Sequence, residues 1–106
     1  MPKYLFIGSY NEEGLRGLLK EGGSKRSEAA EQVIRSVGGT LEAFYFAFGD
    51  NDFYVILDTP DNVSTSAASL MVNASGAVNI ETVVLLTPEE VDHAVKKTVN
   101  YRPPGQ

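Results

Sequence analysis

The chain contains no cysteine and a single histidine, His93. The first absence excludes a disulfide framework, thiolate metal centres and a cysteine nucleophile. The second excludes any multi-histidine metal cluster. Long apolar runs are missing as well. Tyr4-Leu5-Phe6-Ile7 is only four residues long and leads into Tyr10-Asn11-Glu12-Glu13. A secretory signal needs about 7–15 apolar residues, and a membrane span about 18. A soluble, cytoplasmic protein without membrane attachment is expected. Positive charge is scarce: 9 basic against 14 acidic side chains give a net charge of -5. Nucleic acid is a poor partner for such a chain, because binding there rests on phosphate neutralisation. No serine–histidine–acid order and no GxSxG elbow occurs. Gly22-Gly23-Ser24-Lys25 lacks the spacing of a phosphate loop. Asp50, Asp52, Asp58 and Asp61 lack the regular ligand spacing of a calcium loop. No metal and no cofactor is expected.

What remains is 106 residues with 42% hydrophobic side chains, enough for one domain with a thin core. We expect a single domain over residues 1–100 and a flexible tail over 101–106. Lys3 to Tyr10 reads as a strand. Asn11 caps a short helix carrying Leu15, Leu18 and Leu19. Gly22-Gly23 breaks it, and Ser24 is a cap for a second piece from Lys25 to Val37, with Ala30, Val33, Ile34 and Val37 inward. Thr40–Phe48 and Phe53–Asp58 form a hairpin about Gly49-Asp50-Asn51-Asp52. Pro60-Asp61 opens a helix whose stripe is Val63, Ala67, Leu70, Met71 and Ala74. Ala77 to Leu86 is the fourth strand. Thr87-Pro88-Glu89-Glu90 is a capping box for a last helix. The order β-α-β-β-α-β plus a C-terminal helix is an α+β, ferredoxin-like pattern with a four-stranded antiparallel sheet.

A tight hairpin opposes Phe48 to Phe53, Phe46 to Val55 and Phe44 to Leu57. Alternation then places Phe44, Phe46, Phe48 and Phe53 on one sheet face, under the helices. The other face carries Leu41, Ala43, Tyr45, Ala47, Tyr54 and Ile56, and the first strand divides into Tyr4, Phe6 and Tyr10 on one side and Leu5 and Ile7 on the other. An uncovered face of that kind exceeds the apolar patch that monomers tolerate. A second copy of the chain, docked through this face, is the expected cover.

Tyr10-Asn11-Glu12-Glu13-Gly14-Leu15, Gly38-Gly39-Thr40-Leu41, Phe44-Tyr45, Gly49-Asp50-Asn51-Asp52-Phe53 and Gly76-Ala77-Val78-Asn79-Ile80-Glu81-Thr82 resemble the GYD domain family of small bacterial and archaeal proteins. The resemblance runs over nearly the whole chain. It implies a ferredoxin-like fold related to the dimeric α+β barrel proteins, and no particular activity. Asn51 stands where the family has the tyrosine for which it is named, while Gly49 and Asp52 match. Asn is an easy substitute in a turn.

Two functions follow as expectations. One is a homodimer that binds a small apolar or aromatic molecule between sheet and helices, lined by Phe44, Phe46, Phe48 and Phe53. The other is a cofactor-independent monooxygenase or isomerase of the dimeric α+β barrel type, with Tyr54 and Glu81 as proton-transfer groups. Glu81 sits inside a strand, where partial burial would raise its pKa. Tyr4 and Tyr54 are the tyrosines that strand register could bring beside it. A heme-type role for His93 would need it over a pocket; its place beside Asp92, Lys96 and Lys97 makes it a surface residue instead.

Overall fold

Runs of aromatic and β-branched residues between turn formers become strands, and the fold is set by how those strands pair. A computed structural model describes residues 1–106. The elements are β1 (Lys3–Tyr10), α1 (Glu12–Glu21), α2 (Gly23–Ser36), β2 (Thr40–Phe46), β3 (Phe53–Asp58), α3 (Asn62–Ala74), β4 (Val78–Leu85) and α4 (Pro88–Ala94). The four strands form one open antiparallel sheet in the order β2-β3-β1-β4. This α+β order fits the ferredoxin-like pattern. Helices α2 and α3 cover one sheet face. Between sheet and helices lie Tyr4, Phe6, Ile34, Phe53, Val55, Leu57, Ala68 and Ile80, the whole buried apolar core.

Local signals account for the helix ends. The Asn11 side chain accepts from the Gly14 N–H at the start of α1. Asp61 does the same for Ser64 at the start of α3, and that backbone bond holds its carboxyl below the usual range. Thr87 and Glu90 complete the capping box of α4. The expected Ser24 cap is not used. Helix α2 begins two residues earlier, at Gly23 rather than Lys25, and Gly22 turns the chain at φ 86° and ψ 171°. Only glycine adopts that backbone easily.

The hairpin differs from the tight turn expected. Strand β2 ends at Phe46, and the pairs are Phe46 with Phe53, Phe44 with Val55 and Leu41 with Leu57. The register is two residues away from the expected one, and the loop spans residues 47–52. The side chain and backbone of Asp52 lengthen it. Asp52 Oδ2 accepts from the Tyr10 N–H at 2.7 Å, and its own N–H donates to the Gly8 carbonyl at 2.8 Å. These bonds draw the loop toward β1. A bulge between Leu41 and Ala43 moves Leu41 to the helix side, where it packs on the core. Phe48 lies beyond the strand and is 107% exposed.

Helix α3 is rotated from its expected phase. Val63, Leu70 and Met71 are 71–78% exposed, and Thr65 and Ala68 are buried instead. Hydrogen bonds decide the rotation. The Thr59 and Thr65 hydroxyls meet at 2.5 Å in the interior. Asn73 Oδ1 accepts from the Ile80 N–H at 2.7 Å, and its Nδ2 donates to the Ile80 carbonyl at 3.3 Å. Turning the apolar stripe inward would leave these polar groups without partners, at about 1–3 kcal/mol each. Small residues also let the helix approach the sheet closely.

After β4 the chain leaves the packed core. From Pro88 to Gln106 every residue is exposed. The radius of gyration is 16.8 Å, against about 13 Å for a compact chain of this length. The accessible surface is 7546 Å², against roughly 5,800 Å² for a compact monomer of this mass. An arm of α4 and the following turns accounts for this shape, and Val91, Val95, Val99 and Tyr101 are exposed along it. No helix is long and apolar enough to cross a membrane.

Candidate functional site

The helix-side face of the sheet does not meet α2 everywhere. Helix α2 turns Ala29 and Ala30 toward the strands, and these small side chains leave a chamber of about 100 Å³. Phe6, Phe53, Val55 and Ile80 form its floor, Val33 and Ile34 its roof. An aromatic chain runs along the floor. Phe46 and Phe44 have ring centroids 5.0 Å apart, Phe44 and Phe53 stack at 5.4 Å, and Phe53 and Tyr10 tilt at 5.2 Å. These are the spacings of favourable aromatic pairs in direct contact.

The expected lining residues separate. Phe44 and Phe53 line the chamber. Phe46 lies outside it, against the start of α2 at Gly23. Phe48 is in solvent, because β2 stops before it. Gly8 makes room for Phe53: a methyl group built there would overlap the Phe53 ring.

Tyr10 and Arg26 stand at the chamber mouth, where a second recess of about 140 Å³ begins, lined also by Glu13, Gly14 and Gly17. Arg26 is the only charged side chain among the chamber lining. Its Nη1 is 3.6 Å from Glu21 Oε2 across the Gly22 turn, longer than a hydrogen bond. Burial pushes the Tyr10 phenol above its ordinary pKa, and the Arg26 guanidinium beside it works against that rise. The phenol is therefore neutral at physiological pH and keeps its proton to donate. Neither residue stood out in the sequence as functional. One signal was present: Arg26 precedes Ala30, Val33, Ile34 and Val37 by 4, 7, 8 and 11 residues, in phase with the buried stripe of α2.

Tyr54 and Glu81 lie on the opposite sheet face, away from the chamber. Cross-strand pairing sets a row Tyr45–Tyr54–Ile7–Glu81. Ile7 separates the two, so their backbones are about 10 Å apart, two strand spacings. Neither residue lines the chamber, and no hydrogen bond joins their side chains. Glu81 is exposed rather than half-buried, since no element covers this face. Tyr4 cannot join them, because it points to the helix side and donates to Asn62 Oδ1 at 2.5 Å. His93 is exposed on the arm.

The next row of the same face is Ala43–Ile56–Leu5–Val83, apolar across all four strands. Beyond it Lys3 bonds Glu42 at 2.9 Å and Asp58 at 3.0 Å. These carboxylates, Glu42 foremost, hold the Lys3 ammonium above its usual pKa. The outer face thus has an apolar centre between a charged end and a tyrosine–glutamate end.

A family model described as GYD domain matches residues 4–95, and the chain belongs to that family. No curated protein matches it.

Proposed function

We propose that this GYD-domain chain works as a homodimer that binds one small apolar or aromatic molecule per protomer, between the sheet and α2. The chamber carries the reading: its lining is apolar except at the mouth, and aromatic rings are already stacked along its floor. Ligand sites have this character, with a few polar groups fixing orientation. The dimer is supported by the Ala43–Ile56–Leu5–Val83 row and by an arm that has no cover from its own domain. An apolar centre with a polar rim is the usual anatomy of a protein interface. A cofactor-independent monooxygenase or isomerase would need a proton-transfer group against the bound molecule. Tyr54 and Glu81 sit on the docking face instead, which favours binding over that chemistry.

Native mass spectrometry tests the chamber. The expected result is one small organic molecule per chain, either carried through purification or taken up from added benzene. Ala30→Leu, which fills the chamber from α2, is expected to abolish it. Equal uptake by the variant, or no uptake of benzene by the unaltered chain, would overturn the reading.

A further inference from the structure

The one charged side chain in the chamber lining has a specific consequence. Arg26 is held in the buried phase of α2, at the point where the apolar chamber meets the more polar recess. A guanidinium there gives up part of its hydration, and its side chain is 32% exposed. Its protein counter-ion is poorly placed. Glu21 closes on it at 3.6 Å from the far side of the Gly22 turn. A pair of this length and exposure contributes little. The planar donor fork of arginine is made for two parallel bonds to a carboxylate, and that capacity is unfilled here.

Building on the chamber reading above, we propose that the ligand is a small apolar carboxylate, an aromatic or branched aliphatic acid. Its hydrocarbon part occupies the space between Phe44, Phe53, Val33 and Ile80, and its carboxylate takes the Arg26 guanidinium from Glu21. The Tyr10 hydroxyl, also at the mouth, supplies a further donor. A dry cavity of about 150 Å³ holds a benzene ring. The chamber alone, about 100 Å³, is smaller than that, so the ring has room only by reaching through the mouth into the recess of about 140 Å³ beside it, which brings its carboxylate to Arg26. The charge balance agrees as well. A chain of net charge -5 does not draw anions from a distance, so affinity for one must come from a local cation. Glu13 and Glu21 border the site and oppose the ligand, which makes the Arg26 contact decisive and gives Glu21 the role of competitor.

Two substitutions with opposite signs test this. Benzoate, benzamide and benzene serve as probes, with binding followed by calorimetry and by chamber methyl NMR shifts. Benzoate is expected to bind about tenfold or more tightly than benzamide, the margin of a charged hydrogen bond. Arg26→Gln removes that margin, so that benzoate binds no more tightly than benzamide. Glu21→Gln tightens benzoate about two- to threefold, the scale of a weak exposed ion pair, and leaves benzamide unchanged. Equal affinity for benzoate and benzamide, with benzene still bound, overturns the carboxylate proposal alone. Loss of all three probes from the unaltered chain overturns the chamber reading beneath it. Glu21→Gln weakening benzoate would contradict the competitor role.

Discussion

Alanine at position 8 is expected to lower stability by about 3 kcal/mol, the upper end for overpacking a filled core. The sign is what makes this informative. Replacing glycine by alanine within a strand ordinarily stabilises, since it restricts the unfolded chain and suits the pleat better. Gly8 is different because it lies in a central strand, paired with Phe53 on one side and Ile80 on the other. A methyl group on it would overlap the Phe53 ring. That ring stacks on Phe44 and touches Tyr10, so the neighbours on both sides resist its displacement. The ring has one open direction, into the chamber. Gly8→Ala should therefore lower the urea midpoint without changing the slope and also weaken benzene uptake. An alanine variant as stable as the unaltered chain would show that Phe53 does not lie over β1.

Lysine in place of Leu5 is expected to convert a dimer of about 23 kDa, twice the 11.5 kDa chain, into a monomer. Leu5 stands in the middle of the Ala43–Ile56–Leu5–Val83 row. In a single chain that face is open, so a lysine ammonium can reach water while its stem lies along Ile56 and Val83. Folding is then little affected. Between two docked sheets the same ammonium would be buried without a partner, at several kcal/mol per copy. Light scattering across a dilution series reads the mass, and circular dichroism confirms that the variant stays folded. A dimeric Leu5→Lys chain would move the docking surface elsewhere, to the arm or to the exposed side of α3.

The contrast between what the residues announced and what they did not is physical. β1 and β3 were legible to the residue because each is a dense aliphatic and aromatic run between turn formers. The caps at Asn11, Asp61 and Thr87 were legible because a cap is a local bond. The hairpin register was not, because its loop length depends on Asp52 bonding to β1, a strand forty residues earlier. The phase of α3 was not legible either. Its apolar count favoured Val63, Leu70 and Met71, while the bonds from Thr65 to Thr59 and from Asn73 to Ile80, polar contacts with the segments that flank the helix, turned it the other way. Of the site, Phe44 and Phe53 could be named from alternation alone. Phe48 could not be discounted without the register. Arg26 was readable as a cation in phase with an apolar stripe, but a reading that sorts charged residues onto the solvated face discards it.

The central claim is that the apolar space lies between the sheet and α2 and that a small ligand enters it. Methyl NMR with benzene as the probe tests this directly. The account predicts saturable shifts at Val33, Ile34, Val55 and Ile80, with Leu5, Ile56 and Val83 unmoved. Shifts confined to Leu5, Ile56 and Val83 would contradict it, since they would place the ligand on the outer face and leave the chamber closed.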